Sequence, residues 1–452
     1  DEQAVSICPN GTQGEVIELG GLVIVLPAVP PQEEVEGHDR PNDMQLWERR
    51  AMPEELSRIR SMDEWGEMPR EFREKFRPYI EEEFRRRREG FWFFNDGVPT
   101  YITGRHYMML QWTRMDIGYP DYLEFQREIF VHLSACEADP RCIGQLYTKC
   151  RRSGYTNICS AVLLDEATQV KDKLLGIQSK TKRITKNNKT TQTGEALNTV
   201  INWKNTTNNA YDGEKLHLLY LDEAGKWERP TDIRDAWRIQ RTCLIVGRKV
   251  VGKALVGSTV NPMDKGGKEY KELWEDSNPT QRNANGRTRS GLYRLFIPAQ
   301  ESLEGFFDVY GHPVVEDPSS PVDGIDGESI TQGSKQYLKN EREAFKSNPS
   351  ELNEITRQFP FTEDEAFRDS IDGSIFNIGK IYQQIEHNDE LFPNPVVRGN
   401  FVWKVKDQEV VFSPDPNGRF RVAWMPDPGE RNVKKIERGK LIAPFEAFGC
   451  GG

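Results

Sequence analysis

The segment Lys149-Cys150-Arg151-Arg152-Ser153-Gly154-Tyr155-Thr156 has the outline of a phosphate-binding loop whose cation has moved. In the usual form, G-x-x-x-x-G-K-[ST], backbone amides wrap the phosphates, the lysine reaches the β and γ oxygens, and the hydroxyl binds magnesium. Here Gly154 and Thr156 keep their places, Tyr155 stands where the lysine belongs, and Lys149, Arg151 and Arg152 gather upstream. A loop closing around a triphosphate can still deliver one of those cations. Lys149 and Arg152 are therefore the residues expected to neutralise charge developing on the phosphates, and Thr156 the first magnesium ligand.

Hydrolysis also needs a second metal ligand and a base. His217-Leu218-Leu219-Tyr220-Leu221-Asp222-Glu223-Ala224 is an apolar run ending in two acids, as a buried parallel strand is when it delivers carboxylates to a sheet edge. Asp222 is expected to hold magnesium, and Glu223 to orient and deprotonate the attacking water. A third run, Ala254-Leu255-Val256-Gly257, breaks into Ser258-Thr259 before the turn at Asn261-Pro262. Such a turn lies beside the γ-phosphate in ATPases driven by nucleic acid. Upstream, Gln126 has an amide that can both donate to and accept from an adenine edge, with Tyr122 or Phe125 available to cover the base.

Elements must carry these residues to one place. Ile143 to Thr148 reads as a strand, and Asn157 to Leu164 as a helix continuing from the loop. Strand, loop, helix is the order that sets amides and a helix N-terminus against an anion. The sheet is expected within residues 121–300, with strands near Gly144, Gly176, Leu219, Leu244 and Val256. Charged helices are expected over Pro69 to Glu89 and Gln336 to Asn348, and a surface excursion over Pro313 to Gly333.

Together these residues resemble the large terminase subunit of tailed bacteriophages, the ATP-driven motor that packs DNA into a procapsid. The resemblance rests on Gln126, the Asp222-Glu223 pair, the Ser258-Thr259 turn and the loop, which fits the K-x-x-R-x-G-Y-[ST] form of some terminases. Arg357-Gln358-Phe359-Pro360 with Glu365-Ala366-Phe367 is similar to the stretch that closes the terminase ATPase region, so the likeness spans roughly residues 90–375. The segment from Gly90-Phe91-Trp92-Phe93 to Tyr107 is similar to terminases of crAss-like phages.

The resemblance implies an α/β fold: a P-loop (RecA-like/ASCE) ATPase with a mainly parallel β-sheet flanked by helices. It implies ATP and Mg2+ at the site, double-stranded DNA as track, a portal protein and a small terminase subunit as partners, and a homo-oligomeric ring on the procapsid. The setting would be the cytoplasm of an infected bacterial host. Arg238, Arg241 and Arg357 are candidates for a cation supplied to a neighbouring subunit.

Two departures stand out. Between the strand at Leu174 to Gln178 and the one at Leu218 a longer helical insert is expected than the basic, low-complexity stretch Thr181 to Thr193 offers; either the chain is compact there or the sequence given lacks some residues. The closing residues, Ala443 to Gly452, resemble the first strand of a ribonuclease H-like nuclease cut before its metal-binding acid, so DNA cleavage is not expected of this chain.

Composition fits a motor fragment. At 452 residues, 36% hydrophobic and 29% charged, the chain can bury at least one large core. No apolar run approaches the roughly twenty residues of a membrane span; Gly21 to Val29 is the nearest and reads as a strand. Asp1-Glu2-Gln3, with no initiating Met, reads as lying inside a longer gene product. The seven cysteines form no CxxC pair. A net charge of −10 means any DNA contact must come from a local basic surface, with Arg85 to Arg88 and Lys182 to Lys189 as candidates. Glu81-Glu82-Glu83 beside the first run would instead make salt-bridged turns of an exposed helix.

The expected organisation is an N-terminal flexible or docking arm (residues 1–45), a helical and aromatic subdomain (46–120), the ATPase domain (121–375) and a β-rich linker with the truncated start of a nuclease domain (376–452). Two alternatives share these motifs. A superfamily 2 helicase would need a second RecA-like domain, and a degenerate nucleotide-binding scaffold would have no use for Thr156 and Glu223.

Overall fold

The apolar runs starting near residues 144, 218 and 253 lack the polar alternation of half-exposed strands, and they are covered on both faces, as that pattern requires. The structure, a computed structural model, describes residues 4–59, 62–115, 118–179, 197–227, 230–369, 381–382, 384–385, 397–406, 409–422, 435–437 and 440–442. The Lys182 to Lys189 patch and the closing residues 443–452 lie outside the described residues.

The chain opens with a small sheet of β1 (Val5–Ser6), β2 (Gln13–Leu19) and β3 (Leu22–Pro27). Residues read as an arm thus bury Val5, Leu22, Ile24 and Leu26 in a cluster with Val131, Ala135 and Tyr293. Short helices α1 (Glu54–Ser57) and α2 (Met62–Glu67) lead to the 20-residue α3 (Arg70–Glu89), close to the expected bounds. A hairpin of β4 (Phe91–Asn95) and β5 (Val98–Ile102) and helix α4 (Gly104–Trp112) follow. Phe91, Phe93, Tyr107 and Tyr122 pack together there, so the aromatic segment is core.

Helix α5 (Glu124–Ala138) then leads into β6 (Gly144–Thr148), α6 (Tyr155–Gln169), β7 (Leu174–Ser179), β8 (Val200–Asn205) and β9 (Leu218–Asp222). Helix α7 (Ile233–Gln240), the hairpin β10 (Ile245–Val246) and β11 (Lys249–Val250), β12 (Lys253–Ser258), α8 (Gly267–Glu275) and β13 (Leu292–Phe296) complete the layers. Helices α9 (Ala299–Ser302), α10 (Ser334–Ala344), α11 (Pro349–Gln358) and α12 (Glu363–Ala366) close this unit, which runs to residue 372.

Six strands form one sheet in the order β13-β6-β12-β9-β7-β8, parallel throughout. Alternation along each strand sorts side chains to two faces. Leu146, Leu219, Leu221 and Val256 meet Trp227, Trp237, Tyr270 and Trp274 on one face. Tyr147, Leu218, Tyr220 and Leu255 meet Phe125, Ile129, Ile158 and Val162 of α5 and α6 on the other.

Three readings of the sheet are corrected. Leu244 is not a strand residue: it ends a 3-10 turn and is buried in the first core, because the short hairpin after it turns back at Gly247 (φ 61°). Two strands went unread, β8 and β13, and both are sheet edges. Their runs, Val-Ile-Asn-Trp-Lys-Asn and Leu-Tyr-Arg-Leu-Phe, carry the polar residues that a one-sided edge tolerates and a central strand does not.

The second unit comprises residues 373–452. In it, Val397–Val405 pairs antiparallel with Glu409–Pro414 and with Phe420–Val422, and Lys435–Glu437 pairs with Lys440–Ile442.

Candidate functional site

Sheet register brings the three sequence segments together. Thr148 is level with Ser258, and Asp222 is level with Gly257, so the ends of β6, β9 and β12 share one carboxyl edge. Ligands in open α/β sheets lie outside that edge. The amide of Lys149 donates to the Ser258 carbonyl (3.0 Å), fixing the start of the loop to the third segment.

The loop turns twice through left-handed backbone, at Arg152 (φ 65°) and at Gly154 (φ 70°), and Gly154 is the N-cap of the 15-residue α6. Among the described residues no side chain caps this helix. Its first amides therefore keep the donors that a helix start leaves without intrahelical acceptors, together with the positive end of its dipole.

Tyr155, in the lysine's place, is 1% exposed. Its hydroxyl donates to Gln145 Oε1 (3.1 Å), and its ring lies 4.8 Å from that of Tyr147. A Cβ on Gly257 would fall 2.2 Å from the Tyr155 ring, so the strand gives up a side chain to admit it. As a site residue Tyr155 can offer only its backbone amide. Cys150 is likewise buried, 3.1 Å from Ser302 Oγ, with burial pushing its thiol pKa up. Arg151 is held by Gln358 through its amide (3.0 Å) and a guanidinium nitrogen (3.1 Å). Arg152 is exposed and has no ion pair among the described residues.

Lys149 is 8% exposed, and its Nζ lies 2.9 Å from Glu223 Oε1. Lys226 Nζ lies 2.8 Å from the other oxygen, Oε2. Glu223 itself is left-handed (φ 51°, ψ 41°), a conformation uncommon for a residue with a Cβ and one that needs support from its surroundings. Burial pushes its carboxyl pKa up, but the two ammonium groups outweigh this and hold it below the ordinary carboxylate value.

The neighbouring Asp222 accepts from Tyr220 Oη (2.6 Å) and Ser179 Oγ (3.2 Å). Tyr220 Oη is also 3.4 Å from Thr156 Oγ1, so one hydroxyl links the two expected magnesium ligands. A hydroxyl and a carboxylate oxygen of this kind suit Mg2+, which keeps several waters and takes few protein ligands. Ser258 and Thr259 are buried, and their turn packs on the Glu223 turn: a Cβ on Gly225 would meet Thr259 O at 3.0 Å and Ser258 Oγ at 3.1 Å.

Gln126 sits beside the loop, its Nε2 3.8 Å from where a Gly154 Cβ would be. It is 8% exposed, and its Oε1 has no hydrogen-bond partner among the described residues. A buried carbonyl left unpaired is costly, and a base amino group would satisfy it. The expected cover for that base is corrected: Tyr122 packs on Phe93 and His106, and Phe125 on Phe307, so both belong to the core.

Arg357 is corrected too. It is 2% exposed, donates to the Val260 carbonyl (3.2 Å) and pairs with Glu354, so it cannot reach another subunit. Sequence reading missed Ser179, Tyr220 and Lys226. Strand alternation could have found Tyr220, two residues before Asp222 and hence on its face, and Lys226 lies one 3-10 turn after Glu223.

No family model matches the chain, and no curated protein matches it. Among solved structures it is similar to the large terminase of bacteriophage HK97, at 13% identity and a TM-score of 0.31. The match covers 64% of this chain and 52% of that one, so the chain matches about half the length of that structure.

Proposed function

We propose that the chain hydrolyses ATP to drive double-stranded DNA, as the ATPase part of a phage terminase large subunit. One observation carries the reading: the loop lysine Lys149, the acids Asp222 and Glu223 and the Ser258-Thr259 turn meet at one sheet edge, while Tyr155 turns into the core. The missing motif lysine then has a structural explanation, and Lys149 takes its duty.

Amides of the loop and of the α6 start hold the phosphates, and Gln126 Oε1 accepts from the adenine amino group. Thr156 and Asp222 would hold magnesium, which would supply neutralising positive charge at the phosphate oxygens. Lys149 cannot serve a phosphate oxygen and Glu223 at once. Binding of the triphosphate therefore draws Lys149 away, frees Glu223 Oε1 and raises its basicity. Glu223 then orients a water and takes its proton, with Arg152 closing over the phosphates from its exposed position. By the likeness of its motifs, the chain would work in a ring on the portal of a procapsid, with a small subunit as partner, in the infected bacterial cell.

Glu223→Gln tests this. ATP affinity should stay within about threefold, while turnover falls a hundredfold or more, the scale of a lost general base. Unchanged turnover removes Glu223 from its role.

A further inference from the structure

Two stretches of the chain hold no acid, residues 236–263 and 277–300. At the average density of 71 acids in 452 residues, each would hold about four. Both stretches feed the amino-terminal edge of the sheet, since the hairpin β10–β11 precedes β12 and the loop 278–290 precedes β13. Arg141 precedes β6 at the same edge. The segments are tied together: Arg287 Nη2 donates to the Arg248 carbonyl (2.7 Å), a Cβ on Gly286 would touch Arg141 at 3.0 Å, and Arg282 lies 3.4 Å from Asp139, the partner of Arg141.

Arg141, Arg248, Lys249, Arg287 and Arg289 are thus gathered at one edge, with Arg282 mostly buried over the Tyr293 ring (4.9 Å), and the acids that pair with these arginines among the described residues are Asp139 and Asp276. Asp139 is buried, and Asp276 is shared by Arg234 and Arg289. Arg248 and Lys249 are exposed without an ion pair among the described residues, and the Arg289 side chain is 80% exposed. By contrast, Arg85 and Arg86 are taken up by Glu82, and Arg87 by Asp165.

We propose that this edge is a landing surface for the phosphate backbone of duplex nucleic acid. Guanidinium groups match phosphate oxygens in pairs, and the exposed Thr280, Gln281, Asn283 and Asn285 are the neutral donors that accompany them at backbones. Val246 is the single exposed large apolar residue of the two stretches among the described residues. That leaves no aromatic platform for stacking single-stranded bases and no apolar anchor of the kind protein interfaces are built around. The surface lies at the opposite end of β6, β12 and β13 from the candidate ATP site, about 16 Å along a five-residue strand. It deepens the motor reading by placing the track, yet is tested without nucleotide, so either can fail alone.

The test uses the full chain and a labelled duplex of about 30 base pairs, followed by fluorescence anisotropy across roughly 50 to 200 mM salt. Combined Arg248→Glu, Lys249→Glu and Arg289→Glu substitutions should weaken binding at least tenfold and flatten the log K against log salt slope by about three. The corresponding triple Ala variant should give a smaller loss in the same direction, and a wild-type urea midpoint followed by circular dichroism in both shows that the fold is kept. The surface is refuted if both variants keep the wild-type affinity and slope, or if the wild type binds no duplex. Competition by polyglutamate as effective as by duplex of equal charge also overturns it, in favour of an acidic protein partner. Loss of duplex binding as expected, alongside no ATP hydrolysis by the wild type, keeps the surface and sinks the ATPase reading.

Discussion

Restoring the ordinary motif by Tyr155→Lys should break the protein rather than improve it. The Tyr155 ring is 1% exposed among Tyr147, Tyr220 and the bare backbone of Gly257. Losing a buried aromatic ring costs about 3–5 kcal/mol, partly recovered by the lysine stem. Gln145 Oε1 loses its donor, a further ~1–3 kcal/mol, and an ammonium must either be desolvated or give up its proton. The sum is at least about 4 kcal/mol, a large part of the ~5–15 kcal/mol that stabilises a domain. Urea denaturation followed by circular dichroism should show the midpoint falling sharply or the fold lost.

Two companions keep the test informative if that variant does not fold. Tyr155→Phe should lose only about 1–3 kcal/mol and keep ATP affinity, because the hydroxyl faces Gln145 rather than the loop's open side. Gly257→Ala should destabilise by about 1–3 kcal/mol, since its Cβ would stand 2.2 Å from the ring. A Tyr155→Lys protein with the wild-type midpoint and tighter ATP binding would refute the displaced-cation reasoning outright.

Three further outcomes are expected. Lys226→Met removes one of the two cations holding Glu223 down, so the acid limb of the turnover–pH profile should move to higher pH; a limb that stays put rules out Lys226 as a tuner of the base. Glu128, pushed up to about 7 from 4.5 by burial and then by Glu124 and Glu301, opposes folding once ionised, so stability should fall as pH rises from about 4.5 to 7. Glu128→Gln should abolish that fall, as read from urea midpoints at several pH values. Glu166 behaves oppositely. Burial pushes it up, but His217 and Arg105 bring it down to about 2, so its contribution is complete above pH 4.5 and is lost as pH falls toward 2. Glu166→Gln should flatten the stability curve in that acid window, and an unchanged slope would show the pairing to be energetically idle.

How much of this was legible beforehand differs by element. Helices α3 and α6 and the strands at 144, 174, 218 and 253 were readable, because a buried parallel strand must be apolar on both faces and a helix repeats its polar face. The strand at 292 was not, since Arg294 interrupts its apolar run and only its edge position tolerates that. Leu244 misled for the converse reason: a fully buried leucine looks the same whether it sits in a strand or a turn.

At the site, the sequence alone determined the chemistry on offer: a glycine that can turn left-handed, a lysine and two arginines just before it, and two acids ending a buried strand. Those follow from residue type and local spacing. Only tertiary structure decided that Lys149 rests on Glu223, that Tyr220 links Asp222 to Thr156, and that Tyr155 belongs to the core. It alone assembled the basic edge, from segments more than a hundred residues apart. Pairwise electrostatics and packing act through space, and parallel register sets which distant residues are level, so such partnerships have no signature in local sequence.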